Sequence, residues 1–182
     1  MVHDPLAPDI VPATEERLRR EVVAVGWQSS PDTFVGGLTL DRVEAQASVS
    51  VAKIGSGSDR CVAVAGIEAE VTDRELTVLI DRKYRPGSCE YQAILDHEQE
   101  HVRINADALE DLGARLELRL RALLDRRAGR WLRGGSEKQV QSDVNGALEA
   151  ASREARERAD RAHGRLDTPE AYAAVQARCT DW

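Results

Sequence analysis

The sequence predicts an α+β fold: a small, mostly antiparallel sheet in the N-terminal half, packed on a long helical hairpin. Three observations predict it. Residues 33–80 consist of β-branched segments separated by polar turns. Residues 89–127 and 137–166 each carry an apolar stripe at helical spacing. Strands come first and helices after, which is the α+β order. At 182 residues, with 42% hydrophobic and 31% charged side chains, the chain is long enough to bury a core and balanced like a folded protein. It reads as one domain over 1–182, with an extended arm at 1–13, a helix plus sheet over 14–85 and a helical part over 86–182.

Each element has its own signal. Three prolines keep residues 1–13 extended. Thr14 caps a short helix, TEERLRREVVAV, with Glu15 and Glu16 in the first turn, where acidic groups suit the helix dipole. FVGGLTLDRVEAQASVSVAKI, RCVAVAGIEAEVT and ELTVLIDRKY follow, read as three or four strands divided by GSGSD and shorter turns. Pro86-Gly87-Ser88 stops the last of them, and Ser88 caps a helix over residues 89–127 that tolerates Gly113. AGRWLRGGS connects it to a helix over residues 137–166. Thr168 then caps a final helix with Pro169 at its first position.

Composition excludes several functions. A net charge of −7, with arginines that alternate with glutamates, offers no basic patch for nucleic acid. No apolar run approaches the roughly 18 residues of a membrane span. The N-terminus MVHDPLAPDIVP has neither the basic start nor the apolar centre of a signal peptide, which fits a cytosolic protein or a mature form without its leader. The cysteines, Cys61, Cys89 and Cys179, allow one disulfide. Cys61 opens a strand and Cys89 opens the motif helix, so a Cys61–Cys89 bridge with Cys179 free is expected. Cys89–Cys179 is the second choice, because the final helix can return to the motif helix.

The chemistry sits in LDHEQEHVRI, where His97, Glu98 and His101 spell H-E-x-x-H. At 100° per residue, Tyr91, Ile94, Val102, Leu109, Leu112 and Leu116 form one stripe of the helix, with Glu98 near its middle, His101 within it or at its edge and His97 on its flank. Gln99, Glu100, Arg103 and Asp107 point the other way. A carboxylate facing the core is costly unless something uses it. Residues four apart stack on one side of a helix, so two imidazoles can bind one zinc ion. The glutamate between them then lies beside the open position, where it can take a proton from the attacking water.

Such a site needs a third ligand. Asp107 points outward and is rejected. If the two long helices form an antiparallel hairpin with Arg127 level with Glu137, His101 lies level with His163 and His97 with Asp167. His163 borders the apolar stripe of its helix, whereas Asp160 points away. His163 is therefore the expected third ligand and Asp167 the alternative.

On these residues the chain resembles the zincin metallopeptidases. More narrowly, it looks like a family of predicted bacterial secreted zinc-dependent proteases still classed as a domain of unknown function. The resemblance rests on His97-Glu98-Gln99-Glu100-His101, on Pro86-Gly87-Ser88-Cys89 before it, and on the strand-rich N-terminal half. Leu166-Asp167-Thr168 resembles that family's aspartate-and-threonine signature. The resemblance implies a zincin-like fold, a zinc ion, hydrolysis of a peptide or protein substrate, and export to the periplasm or beyond. In zincins an edge strand beside the motif helix pairs with substrate, a part ELTVLIDRKY could take. A phenol often stabilises the oxyanion, which points to Tyr172, with Tyr84 behind it. The other class of function is a non-catalytic interaction protein, a helical hairpin with a structural metal or none. Glu98 speaks for the enzyme; an aromatic content of 4% speaks for the alternative.

Overall fold

The computed structural model describes residues 6–25, 35–127, 129–133 and 137–182. Residues 1–5 of the expected arm, and the start of the first strand segment at Thr33 and Phe34, lie outside them. In chain order the elements are β1 (Asp9–Ala13), α1 (Glu15–Ala24), β2 (Gly37–Ile54), a 3₁₀ turn (Gly57–Asp59), β3 (Cys61–Asp81), α2 (Cys89–Arg127), β4 (Leu132–Arg133), α3 (Glu137–Leu166) and α4 (Pro169–Gln176). The expected caps form. Thr14 Oγ1 accepts from the Arg17 amide at 3.2 Å, Ser88 Oγ from Tyr91 at 3.2 Å and Thr168 Oγ1 from Ala171 at 3.1 Å. Each closes one of the open N–H groups at a helix start.

The sheet differs from expectation in two ways. Part of the expected arm is a strand, β1, because extended proline-rich backbone can still pair along one side. The segments expected as separate strands fuse: RCVAVAGIEAEVT from Cys61 and ELTVLIDRKY as far as Asp81 are both in β3, which runs through Asp73-Arg74 without a turn. β1 and β4 pair with β3 in opposite senses. β1 pairs parallel with β3, from Asp9 opposite Thr77 to Ala13 opposite Asp81, while β4 pairs antiparallel with it.

Two compact units divide the described residues, one within 4–42, 73–107 and 159–182, the other within 43–72 and 108–158. In the first, β3 lies between β1 and β2. Its end is covered on both faces. Leu79 packs with Ala13, Leu18, Val22 and Val35, while Val78 and Ile80 pack with Tyr84 and Ile94. A strand covered on both faces reads as a continuous apolar run, and Val78-Leu79-Ile80 is one. The chain end returns to the start of α2. Cys89 and Cys179 form a disulfide, Arg178 pairs with Asp96 at 2.6 Å, and Trp182 meets Tyr84 edge-on. The expected Cys61–Cys89 bridge is therefore replaced by Cys89–Cys179, and Cys61 is the free thiol.

In the second unit, Leu109, Leu112, Leu116, Leu120 and Leu123 of α2 pack on Val144, Ala151 and Ala155 of α3 and on Val71 of β3. Small residues on α3 let the two helices approach closely. Arg115 pairs with Asp111 and Glu154, Arg119 with Glu154, and Arg127 with Asp143. Six residues separate β2 from β3, too few for a crossover, so the two strands run antiparallel. Val71 packs with leucines of α2 and Val78 with Ile94 of the same helix.

Candidate metal centre

Helix α2 supplies the first donors. Ile94, Glu98, His101 and Asn105 are its buried residues along this stretch, with Glu98 4%, His101 8% and Asn105 9% exposed. Gln99, Glu100, Arg103 and Asp107 are exposed, as the helical wheel requires. The stripe is thus apolar above and below but polar in the middle.

The third donor comes from the junction of α3 and α4. The Asp167 amide donates to the His163 carbonyl at 2.8 Å, closing α3, and the next residue, Thr168, caps α4. Asp167 is held between these two helix ends with its side chain turned to α2. Its Oδ1 lies 3.3 Å from His97 Nε2 and 3.1 Å from His101 Nε2, and the two Nε2 atoms are 3.3 Å apart. Bonds of about 2.0–2.1 Å from a tetrahedral ion place its ligand atoms about 3.3 Å apart. The three edges of this triangle match that spacing, so His97, His101 and Asp167 fit around one ion.

Electrostatics follow from the burial. Burial alone would raise the Asp167 carboxyl, but hydrogen bonds from His101 and His97, and then from Tyr172, outweigh it and hold it far below the usual carboxylate range. The Tyr172 hydroxyl donates to Asp167 Oδ1 at 2.8 Å, and burial, with the Asp167 charge, pushes that phenol far up. His101 is raised: burial opposes its charge, yet Asp167 and Glu98 prevail. Burial pushes the Glu98 carboxyl up, against the pull of His101, Thr39 and His97.

Two residues of β2 shape the place of Glu98. Thr39 donates its hydroxyl to Glu98 Oε2 at 2.8 Å. A Cβ at Gly37 would lie 2.7 Å from Ile94 Cγ2 and 2.8 Å from Glu98 Oε1, so only glycine lets the strand come this close. Neither residue was singled out from the sequence. The glycine pair Gly36-Gly37 inside a strand segment is the signal that could have found them, since such glycines mark close backbone approach.

The remaining expected residues fall as follows. His163 is brought to the site but not into the donor triangle. Its Nδ1 lies 2.7 Å from His101 Nδ1, on the far side of that ring, and its Nε2 lies 2.9 Å from Asn105 Oδ1. Burial and the His101 charge lower it. The alternative ligand, Asp167, is the one in the triangle, because the chain turns there and brings a shorter side chain level with His97. Tyr172 reaches the site through Asp167, whereas Tyr84 is a buried packing residue against Trp182. ELTVLIDRKY is not an edge strand, since β3 is paired on both sides; of the strands bordering α2 here, β2 lies at the end of the sheet order. No family model matches this chain, and neither does any curated protein or solved structure.

Proposed function

We propose that the protein is a zinc-dependent metallopeptidase. One observation carries the reading: two imidazoles one helical turn apart and the Asp167 carboxylate converge at tetrahedral spacing, with the buried Glu98 between the two histidines in sequence. Two imidazoles and one carboxylate are the donor set of catalytic zinc sites that keep a fourth position open, and imidazole suits zinc better than calcium or magnesium. When bound, zinc supplies a Lewis acid that polarises the scissile carbonyl and readies water to attack near neutral pH.

The chain's own residues do the rest. Glu98, made a stronger base by its burial, would in its ionised form take the proton of the attacking water and return it to the leaving amine. Thr39 holds Oε2 of that carboxylate. Tyr172 orients Asp167 and reaches an oxyanion only by letting that carboxylate go. Pairing with an extended substrate falls to β2 rather than β3. The Cys89–Cys179 bridge suits an oxidising compartment, the periplasm or beyond. Among the described residues no helix is long and apolar enough to cross a membrane.

A second reading has one observation in its favour. Asp167 Oδ1 already accepts from Tyr172 and lies within reach of both histidines, so the cluster can be satisfied without an ion. The chain would then be a non-catalytic interaction protein. Metal analysis separates the two. The enzyme reading expects close to one zinc per chain, released by His97→Ala, His101→Ala or Asp167→Ala, together with cleavage of an unfolded protein substrate. Wild-type protein that takes up no zinc, or zinc-loaded protein that cleaves nothing, would overturn it.

A further inference from the structure

We infer that His163 and Asn105 form a neutral relay that fixes the tautomer of His101 and thereby sets the affinity of the site for its metal; the inference rests on the metal-centre reading above. The argument is one of proton placement. His101 turns Nε2 towards His97 and Asp167, at 3.3 and 3.1 Å. To offer a lone pair there, the ring must carry its proton on Nδ1. That Nδ1 lies 2.7 Å from His163 Nδ1, so only one of the two nitrogens holds a proton, and it belongs to His101. His163 then accepts at Nδ1 and carries its own proton on Nε2. This nitrogen faces Asn105 Oδ1 at 2.9 Å, an oxygen that can only accept.

Each link therefore has one donor and one acceptor, all pointing the same way from the metal to Asn105. Asn105 lies one helical turn beyond His101 on the same buried stripe, and the two imidazole planes lie within 27° with centroids 5.0 Å apart, so the rings meet edge to edge as an in-plane hydrogen bond requires. Metal-bound histidines usually donate to a carboxylate, a carbonyl or water, which raises their basicity. Here the acceptor is a neutral imidazole ending on an amide. It orients His101 as a carboxylate would, while pulling on its proton less. His163 is thus a positioning residue: it acts on the metal only through His101.

The test measures zinc affinity of the full chain by competition with a chromophoric chelator, beside long-range ¹H–¹⁵N spectra of the zinc-loaded wild type. The spectra should show His101 protonated on Nδ1 and His163 on Nε2; the opposite tautomer at either ring overturns the relay without any variant. His163→Phe keeps an aromatic ring but removes the acceptor, and should weaken zinc binding by about 10–100-fold. Asn105→Asp puts a carboxylate at the end of the relay and should tighten binding, a change of sign that a purely structural role would not produce. If the wild type binds zinc and both variants match it, the relay is overturned while the metal centre stands. If the wild type binds no zinc, the metal reading itself falls.

Discussion

Thr39 and Gly37 decide how Glu98 can work, and both can be tested one atom at a time. Gly37→Ala forces a Cβ against Ile94 and Glu98. It should cost about 1–3 kcal/mol, as overpacking usually does, and should slow hydrolysis while zinc content stays at wild-type level; denaturant melts and metal analysis on one preparation check both. Glu98→Gln keeps the shape but cannot accept a proton, so hydrolysis should fall by at least about 10²–10⁴-fold with the zinc retained. It also removes a buried carboxyl, so stability should hold or rise slightly. Wild-type turnover in that variant would show that Glu98 is not the base. At this scale the sequence disclosed whatever repeats with the helix. His97, Glu98 and His101 were legible because their spacing is local to α2. The choice between His163 and Asp167 was not, because helix arithmetic places a residue level with its partner but does not say how far each side chain reaches. Thr39 was invisible for the same reason: its partner is 59 residues away in sequence.

Among the elements, α2 and α3 were the plainest in the sequence, since a long apolar stripe marks each and Ser88 caps the start of α2. The strands were less so. Polar residues such as Thr72, Asp73 and Arg74 look like a turn, yet β3 runs through them without a break, since tertiary context can override local strand preference. Two predictions belong here. Digestion without reduction should join the peptides of Cys89 and Cys179 and leave Cys61 open to alkylation; Cys179→Ser should cost about 2–4 kcal/mol, the usual worth of a disulfide. The second concerns the charged cluster of α2 and α3. Arg115 hydrogen-bonds Asp111 and holds its carboxyl below the ordinary range, against a smaller opposing effect of burial. A depressed carboxyl adds stability above its unfolded pKa and loses it as the pH falls through the folded value. Arg115→Ala should therefore lower the urea midpoint at pH 7 more than at pH 3. Equal losses at both values would mean that Arg115 acts by packing alone.

For the whole molecule, the order of strands before helices was enough to predict the α+β class, but the division into two units was not legible, because β2, β3, α2 and α3 each contribute to both. Metal binding should be felt in overall stability. Zinc at 100 times its dissociation constant would add about 2.7 kcal/mol, or about 5–10 °C in thermal midpoint for a chain of this size. Chelation should remove that gain from the wild type and change nothing in Asp167→Ala. The Cys89–Cys179 bridge has a topological consequence. It spans 90 residues of sequence, and His97, Glu98, His101 and Asp167 all lie inside the ring it closes. One cut anywhere within that ring opens it without releasing a fragment. A chain nicked there would run as intact on a non-reducing gel and fall into two pieces only when the bridge is reduced.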